Sequence, residues 1–169
     1  MSEPELREPQ FARPLRVEPL PRNGLEETIE ATEAERKALA KLNNLVDIAR
    51  LTARFRIAKW RRGVKVEGDV SARVTQTCVV SLEPFEVDIE EPIEVRFLPP
   101  DAKAPESEDD TDAPDPLIDG TIDLGAIASE FFTLALDPYP RKPGVAFEPP
   151  ADSAPEVSPF GRLKGEEPD

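Results

Sequence analysis

The sequence contains no histidine and only one cysteine, one tryptophan and one tyrosine among its 169 residues. The missing imidazole removes the usual general base of nucleophilic triads, the commonest metal ligand and the side chain that titrates near neutral pH. The single thiol, Cys78, cannot form an intramolecular disulfide or fill a zinc site by itself. We therefore expect no catalytic site, no metal centre and no cofactor.

Long apolar runs and phosphate-binding loops are also scarce. The most apolar stretch, residues 131–136, falls far short of the ~20 residues that cross a bilayer. The eight glycines show no nucleotide-binding spacing. The first residues carry acid and proline where a secretory signal carries a basic start and an apolar core. These features predict a cytoplasmic protein with no membrane contact and no small-molecule substrate.

Charge and proline are what the chain has in excess. Thirty-five acidic residues against 21 basic ones give a net charge of −14, which repels polyanions such as nucleic acid. The 20 prolines concentrate near both ends and around residue 105. We predict an extended Pro-rich arm (1–24), a single α+β domain (25–147) with a disordered acidic insertion (101–116), and a Pro-rich C-terminal tail (148–169).

Hydrophobic periodicity predicts the elements of this domain. Thr32 and Glu35 have capping-box spacing, so a helix should begin at Glu33 and end near Asn43, and Asp123 is a suitable N-cap for a second helix over 124–136. Alternating apolar residues over 51–57, 64–80 and 85–97 predict three antiparallel strands, with a bend or bulge at Gly68. The expected fold is an antiparallel, strongly coiled or barrel-like β-meander covered by two helices.

A basic segment over residues 54–65 is the first candidate site. Positive side chains with an interleaved tryptophan are typical of a nucleic-acid contact, although they also occur on solvated strand faces and salt-bridged edges. The candidate RNA-contact residues are Arg54, Arg56, Lys59, Trp60, Arg61 and Arg62.

The segment Asp137-Pro138-Tyr139-Pro140-Arg141 is the second candidate site. Its prolines fix an extended exit from the second helix, which indicates either a simple helix stop or a preorganised docking element. The candidate partner-binding residues are Asp137, Tyr139 and Arg141. Cys78 shares the phase of the buried valines and is interpreted as a core thiol rather than a nucleophile. The many carboxylates are expected on solvated surfaces rather than as acid/base pairs.

Several segments, taken in order along the chain, resemble the YceD-like family of large-ribosomal-RNA accumulation proteins in its alphaproteobacterial form. They are residues 76–84, residues 120–125, Glu130 and residues 134–144. The resemblance implies a non-enzymatic cytoplasmic factor that supports synthesis, processing or stability of large-subunit (23S) ribosomal RNA during ribosome biogenesis. Together with the negative charge, it favours action through a ribosomal or ribosome-assembly protein, with the RNA contacted indirectly. Direct RNA binding through the basic segment is the alternative.

The resemblance also implies a difference in metal chemistry. Many relatives carry Cys-x-x-Cys at the first motif, and some have further cysteines near the second, a pattern that indicates zinc. Here position 81 is Ser81, and Pro140-Arg141 offers no thiol. We therefore expect any zinc site of those relatives to be missing from this chain.

Overall fold

A computed structural model describes residues 11–102 and 113–148, which form an α+β fold. Its elements in chain order are β1 (Pro14–Arg16), β2 (Leu25–Glu30), α1 (Glu33–Leu42), β3 (Asp47–Trp60), β4 (Gly63–Thr77), β5 (Pro84–Leu98), β6 (Asp115–Pro116), β7 (Thr121–Asp123) and α2 (Leu124–Ala135).

The main sheet has five strands in the order β2-β3-β4-β5-β6, and β1 pairs separately with β7. All pairs are antiparallel except β5 with β6. The predicted meander of three long strands is therefore present. Within the described residues β2 pairs only with β3 and β6 only with β5, so the sheet is open and the barrel-like prediction is not supported.

Both helices begin where the local sequence predicts. The Thr32 hydroxyl accepts a hydrogen bond from the Glu35 amide (3.3 Å), and the Glu35 carboxylate accepts one from the Thr32 amide (2.8 Å). The Asp123 carboxylate caps α2 by accepting from the amides of Gly125 (3.0 Å) and Ala126 (3.1 Å). These bonds satisfy N–H groups that a helix leaves without internal partners.

The core lies between one face of the sheet and the two helices. The inward-facing residues of the strands alternate with exposed polar ones, as the period of two requires. Phe132 of α2 is the largest fully buried side chain, and it belongs to the same cluster as Leu51, Val66 and Val74 of the sheet. Burial of one sheet face therefore positions α2 over the long strands.

The described part of the arm, residues 11–24, is docked on the domain. Phe11 and Val17 are buried, and β1 pairs with β7. The Leu124 amide donates to the Arg13 carbonyl (3.0 Å), and a Cβ at Gly125 would collide with the Phe11 carbonyl oxygen. The arm is thus held against the start of α2, which Gly125 permits by lacking a side chain.

Two details differ from the sequence-based expectation. The register is continuous at Gly68, so the predicted bulge there is wrong, and the irregularity lies between Ile48 and Arg50 of β3. Gly68 instead accommodates a close approach, because a Cβ would collide with the Arg54 carbonyl oxygen. Of the predicted insertion 101–116, residues 103–112 lie outside the described residues, and residues 115–116 form β6. Residues 1–10 of the arm and 149–169 of the tail also lie outside them.

Candidate docking surface

The two segments that carry the family resemblance meet at the end of β4. A tight turn over residues 78–83 closes through hydrogen bonds from the Leu82 amide to the Cys78 carbonyl and from the Cys78 amide to the Glu83 carbonyl, both 2.9 Å. The chain that leaves α2 lies against this turn, because the Val79 amide donates to the Pro140 carbonyl (2.9 Å). Residues more than sixty positions apart in sequence thereby form one surface.

Residues 137–142 are called here the docking segment. In this segment, residues whose backbone is hydrogen-bonded to the turn alternate with residues whose side chains are exposed. The Lys142 amide donates to the Cys78 sulfur (3.4 Å), and the Lys142 ammonium pairs with Glu83 (3.0 Å). The Asp137 carboxylate accepts from the Tyr139 amide (2.9 Å). Tyr139 is 72% exposed and Arg141 is also exposed, and neither side chain has a polar partner within residues 11–102 and 113–148. The segment therefore presents a tyrosine and an arginine to solvent from a fixed backbone.

A groove of about 480 Å³ lies beside the docking segment, between the ends of α1, β4 and α2. Its lining includes Leu42, Leu45, Leu136, Pro138 and Pro140. Leu42 is 74% exposed, so its side chain is accessible at the edge of this groove. We call this feature the end groove. Polar side chains complete its lining, among them Asn43, Asn44 and Gln76. The groove therefore adds a surface of mixed polarity beside the tyrosine and arginine of the docking segment.

The Cys78 sulfur is buried at the junction of the two segments. The Ser81 hydroxyl, the Ser81 amide (3.4 Å) and the Lys142 amide (3.4 Å) all hydrogen-bond to it, and these bonds lower the pKa of Cys78 to about 6. The interpretation as a core residue agrees with the burial. The acidity of the thiol could not be predicted from the sequence, because one of the donors comes from a distant segment.

The groups around Cys78 do not fit a zinc ion. The other groups close to the sulfur are N–H and hydroxyl donors, and the ammonium of Lys142 lies in the same segment. In the described parts of the chain, no three Asp, Glu or Cys side chains converge as a metal site would require. One thiol in this setting supplies too few ligands.

We expect Cys78 to titrate well below a free thiol, which ionises near pH 8.5. The ultraviolet absorbance of the thiolate should appear with a midpoint near pH 6 in the folded protein and return to the ordinary range in denaturant. Since the folded pKa is the lower one, the thiolate stabilises the protein above the unfolded pKa, and this stability is lost as pH falls towards 6. A Ser81→Ala variant should titrate at higher pH. An unchanged titration in this variant would contradict the assignment.

The basic segment does not form a continuous positive surface. On the exposed face of the sheet, Arg56 of β3 stands between Glu26 of β2 and Glu67 of β4, and Arg54 stands opposite Asp69. Each arginine thus has an acidic partner on at least one neighbouring strand, which reduces the attraction of this face for phosphate. Only the sheet register reveals these neighbours.

The remaining candidates cluster at the turn between β3 and β4. The guanidinium carbons of Arg61 and Arg96 lie 5.1 and 5.5 Å from the centre of the Trp60 ring, and Arg62 pairs with Asp101 (3.1 Å). Lys59 is out of phase with Arg54 and Arg56 along the strand. The six candidates are therefore divided between the sheet face and this turn.

Sequence reasoning missed several residues of the docking surface. Gln76 donates to the Asp137 carbonyl (3.5 Å), Lys142 pairs with Glu83, and Leu42 lines the end groove. Leu42 follows Leu39 at a helical spacing that predicts an inward-facing side chain, yet it is exposed. The apolar residues Val79, Val80 and Leu82 in a short turn were a sequence signal for this surface, and in the structure Val79 and Leu82 are 45% and 75% exposed.

These features define the protein as an α+β protein with an open, mostly antiparallel sheet and two helices, in which two separated loop segments form one end of the molecule. The model of the family described as "Large ribosomal RNA subunit accumulation protein YceD" matches residues 66–165, more than half of the chain, which therefore belongs to this family. Neither a curated protein nor a solved structure matches the chain. In the described ranges, neither helix is long and apolar enough to span a membrane.

Proposed function

We propose that this protein is a non-enzymatic cytoplasmic accessory factor for the accumulation of large-subunit ribosomal RNA, and that it acts by docking a basic ribosomal or ribosome-assembly protein. The family membership supports the role in RNA accumulation. The observation that carries the docking proposal is the fixed docking segment: Tyr139 and Arg141 are exposed, while the Pro140 carbonyl and the Lys142 amide are hydrogen-bonded to the turn over residues 78–83.

The chemistry of this surface favours a protein partner. Tyrosine and arginine are enriched at the energetic centres of protein interfaces, and a backbone fixed before binding loses little entropy. The end groove next to them combines leucine and proline side chains with amide groups, so it offers both apolar contact and hydrogen bonding. At a net charge of −14, long-range attraction favours a basic protein over an RNA.

A double variant, Tyr139→Ala with Arg141→Ala, tests the proposal. Both side chains are exposed, so folding should be nearly unchanged, as checked by the thermal midpoint. Expressed in a strain that lacks the gene, the variant should fail to restore the ratio of large- to small-subunit ribosomal RNA. The matched control is Arg22→Ala with Ile118→Ala, which removes an exposed arginine and an exposed apolar side chain elsewhere. This control should rescue fully.

The alternative of direct RNA binding has its own variant, in which Arg54, Arg56, Arg61 and Arg62 are all changed to Glu. If the docking variant rescues fully, while this charge reversal abolishes both rescue and retention of RNA, the docking proposal is wrong and direct RNA binding is correct. The cluster of two guanidinium groups at the Trp60 ring favours this alternative, because aromatic and arginine side chains stack on bases.

A further inference from the structure

One side of β5 has no partner along most of its length. β5 pairs with β4 over residues 84–97, whereas β6 covers only Phe97 and Leu98. Within residues 11–102 and 113–148, nothing pairs with the opposite edge from Pro84 to Arg96. An unpaired strand of this length is a template for an added strand.

The contact at the end of β5 shows which of its residues direct their backbone N–H and C=O groups away from β4. The Leu98 carbonyl accepts from the Leu117 amide (2.7 Å), so it points away from β4. Backbone direction alternates along a strand, and the register with β4 is unbroken over residues 84–97. The N–H and C=O groups of Glu86, Asp88 and Glu90 therefore point outward. Pro92 has the same phase and lacks an N–H group, which ends the usable edge.

The side chains along this edge differ between the two faces of the sheet. Phe85, Val87 and Ile89 are only half-buried, and the last two line a cleft of about 240 Å³ together with Ala135 of α2. On the other face, Glu86 and Glu90 are exposed and make no ion pair in the described part of the chain. Between them, Asp88 pairs with Arg73 (2.8 Å), which leaves this face with a net negative charge. The edge thus offers apolar side chains on one face and net negative charge on the other.

We propose that the edge of β5 over residues 86–90 accepts an added β-strand from a protein partner, and that this strand alternates apolar residues with lysine or arginine. The apolar side chains cover Val87 and Ile89, and the basic ones lie beside Glu86 and Glu90. A second copy of this chain is disfavoured, since two such edges would place carboxylate against carboxylate. The inference rests on the proposed function for the existence of a protein partner, and it names the chemistry of that partner.

A labelled peptide of about seven residues with alternating lysine and valine is the probe, and its binding to the full chain is measured by fluorescence anisotropy. We expect binding that weakens with added salt. A Glu90→Pro variant should bind the peptide about tenfold more weakly, because it removes an outward N–H group and a charge but no bond to β4. The matched control is Thr28→Pro, which removes an outward N–H group from the other edge strand, β2. It should bind as the unmodified protein does.

Three further comparisons separate charge from backbone pairing. Glu86→Gln with Glu90→Gln should weaken binding at low salt, and the difference should vanish at high salt. A peptide of the same composition with N-methylated amides along one edge should not bind, and a glutamate–valine peptide should not bind either.

The proposal is overturned if the lysine–valine peptide does not bind, if Glu90→Pro binds it as well as Thr28→Pro does, or if the protein is a dimer that Glu90→Pro dissociates. None of these results affects the ribosomal RNA assay of the Tyr139 and Arg141 variant. Conversely, the Tyr139 and Arg141 variant could rescue fully while peptide binding still depends on Glu90. That result would contradict the docking role of residues 137–142 and would support strand addition at β5.

Discussion

Replacing Glu35 with Gln should lower the free energy of unfolding by about 2–3 kcal/mol, since removing one partner of a buried ion pair leaves the other charge uncompensated. Glu35 forms a bidentate pair with Arg13 (2.8 and 2.9 Å) and also caps α1. Its side chain is 10% exposed, and that of Arg13 is 33% exposed, so the pair is not fully buried and the expected loss is smaller than the ~3–5 kcal/mol of fully buried pairs. Chemical denaturation of both proteins measures this difference.

The effect of Glu35→Gln should depend on pH in one direction. Hydrogen bonds from Arg13, with further ones from Thr32, lower the pKa of Glu35 from 4.5 to about 2. Because the folded pKa is the lower one, the stabilisation is complete above the unfolded pKa and is lost as pH falls through 4.5 towards 2. The difference between the two proteins should therefore shrink over that range.

Glu33→Gln provides the control for this prediction. Glu33 lies in the same first turn of α1 and pairs with Lys37, but both side chains are 73% exposed. Exposed pairs contribute little, so this variant should unfold close to the unmodified protein. Equal destabilisation by both substitutions would show that helix charge, rather than the link between arm and helix, is responsible.

Replacing Phe132 with Ala should cost about 4 kcal/mol of unfolding free energy, the usual size for a buried aromatic side chain that leaves a cavity. Phe132 is fully buried on the face of α2 that covers the sheet. The loss should also weaken the position of the docking segment, because that segment follows directly from α2. We therefore expect a lower thermal midpoint together with a higher apparent pKa of Cys78.

Leu134→Ala is the matched control for Phe132→Ala. Leu134 lies on the same helix but is 73% exposed, so its truncation should change stability by less than about 0.5 kcal/mol. A large loss for Leu134→Ala, or a negligible loss for Phe132→Ala, would contradict the packing of α2 described here.

Some features that matter for function depended on residues far apart in sequence. The arginines at 54 and 56 are typical of an RNA contact when considered alone, yet Glu26, Glu67 and Asp69 surround them in the sheet. Each family motif could be recognised in the sequence by itself. Their contact at Cys78 could not, because it is made by a hydrogen bond between residues 78 and 142, which are far apart in the chain. Side-chain chemistry was thus predictable, whereas its electrostatic surroundings were not.

The sequence by itself determined the elements whose signals are local. The capping box of Thr32 and Glu35, the Asp123 cap and the alternating strands of the meander involve neighbours within a few residues, so their energetics can be recognised from spacing. Tertiary structure alone decided the short pairings and the outer surfaces. β1 pairs with β7 across more than a hundred residues, and three-residue strands have too little pattern to predict such a partner. The open edge of β5 was likewise decided by which strands pair, because unpaired backbone groups leave no mark on the sequence.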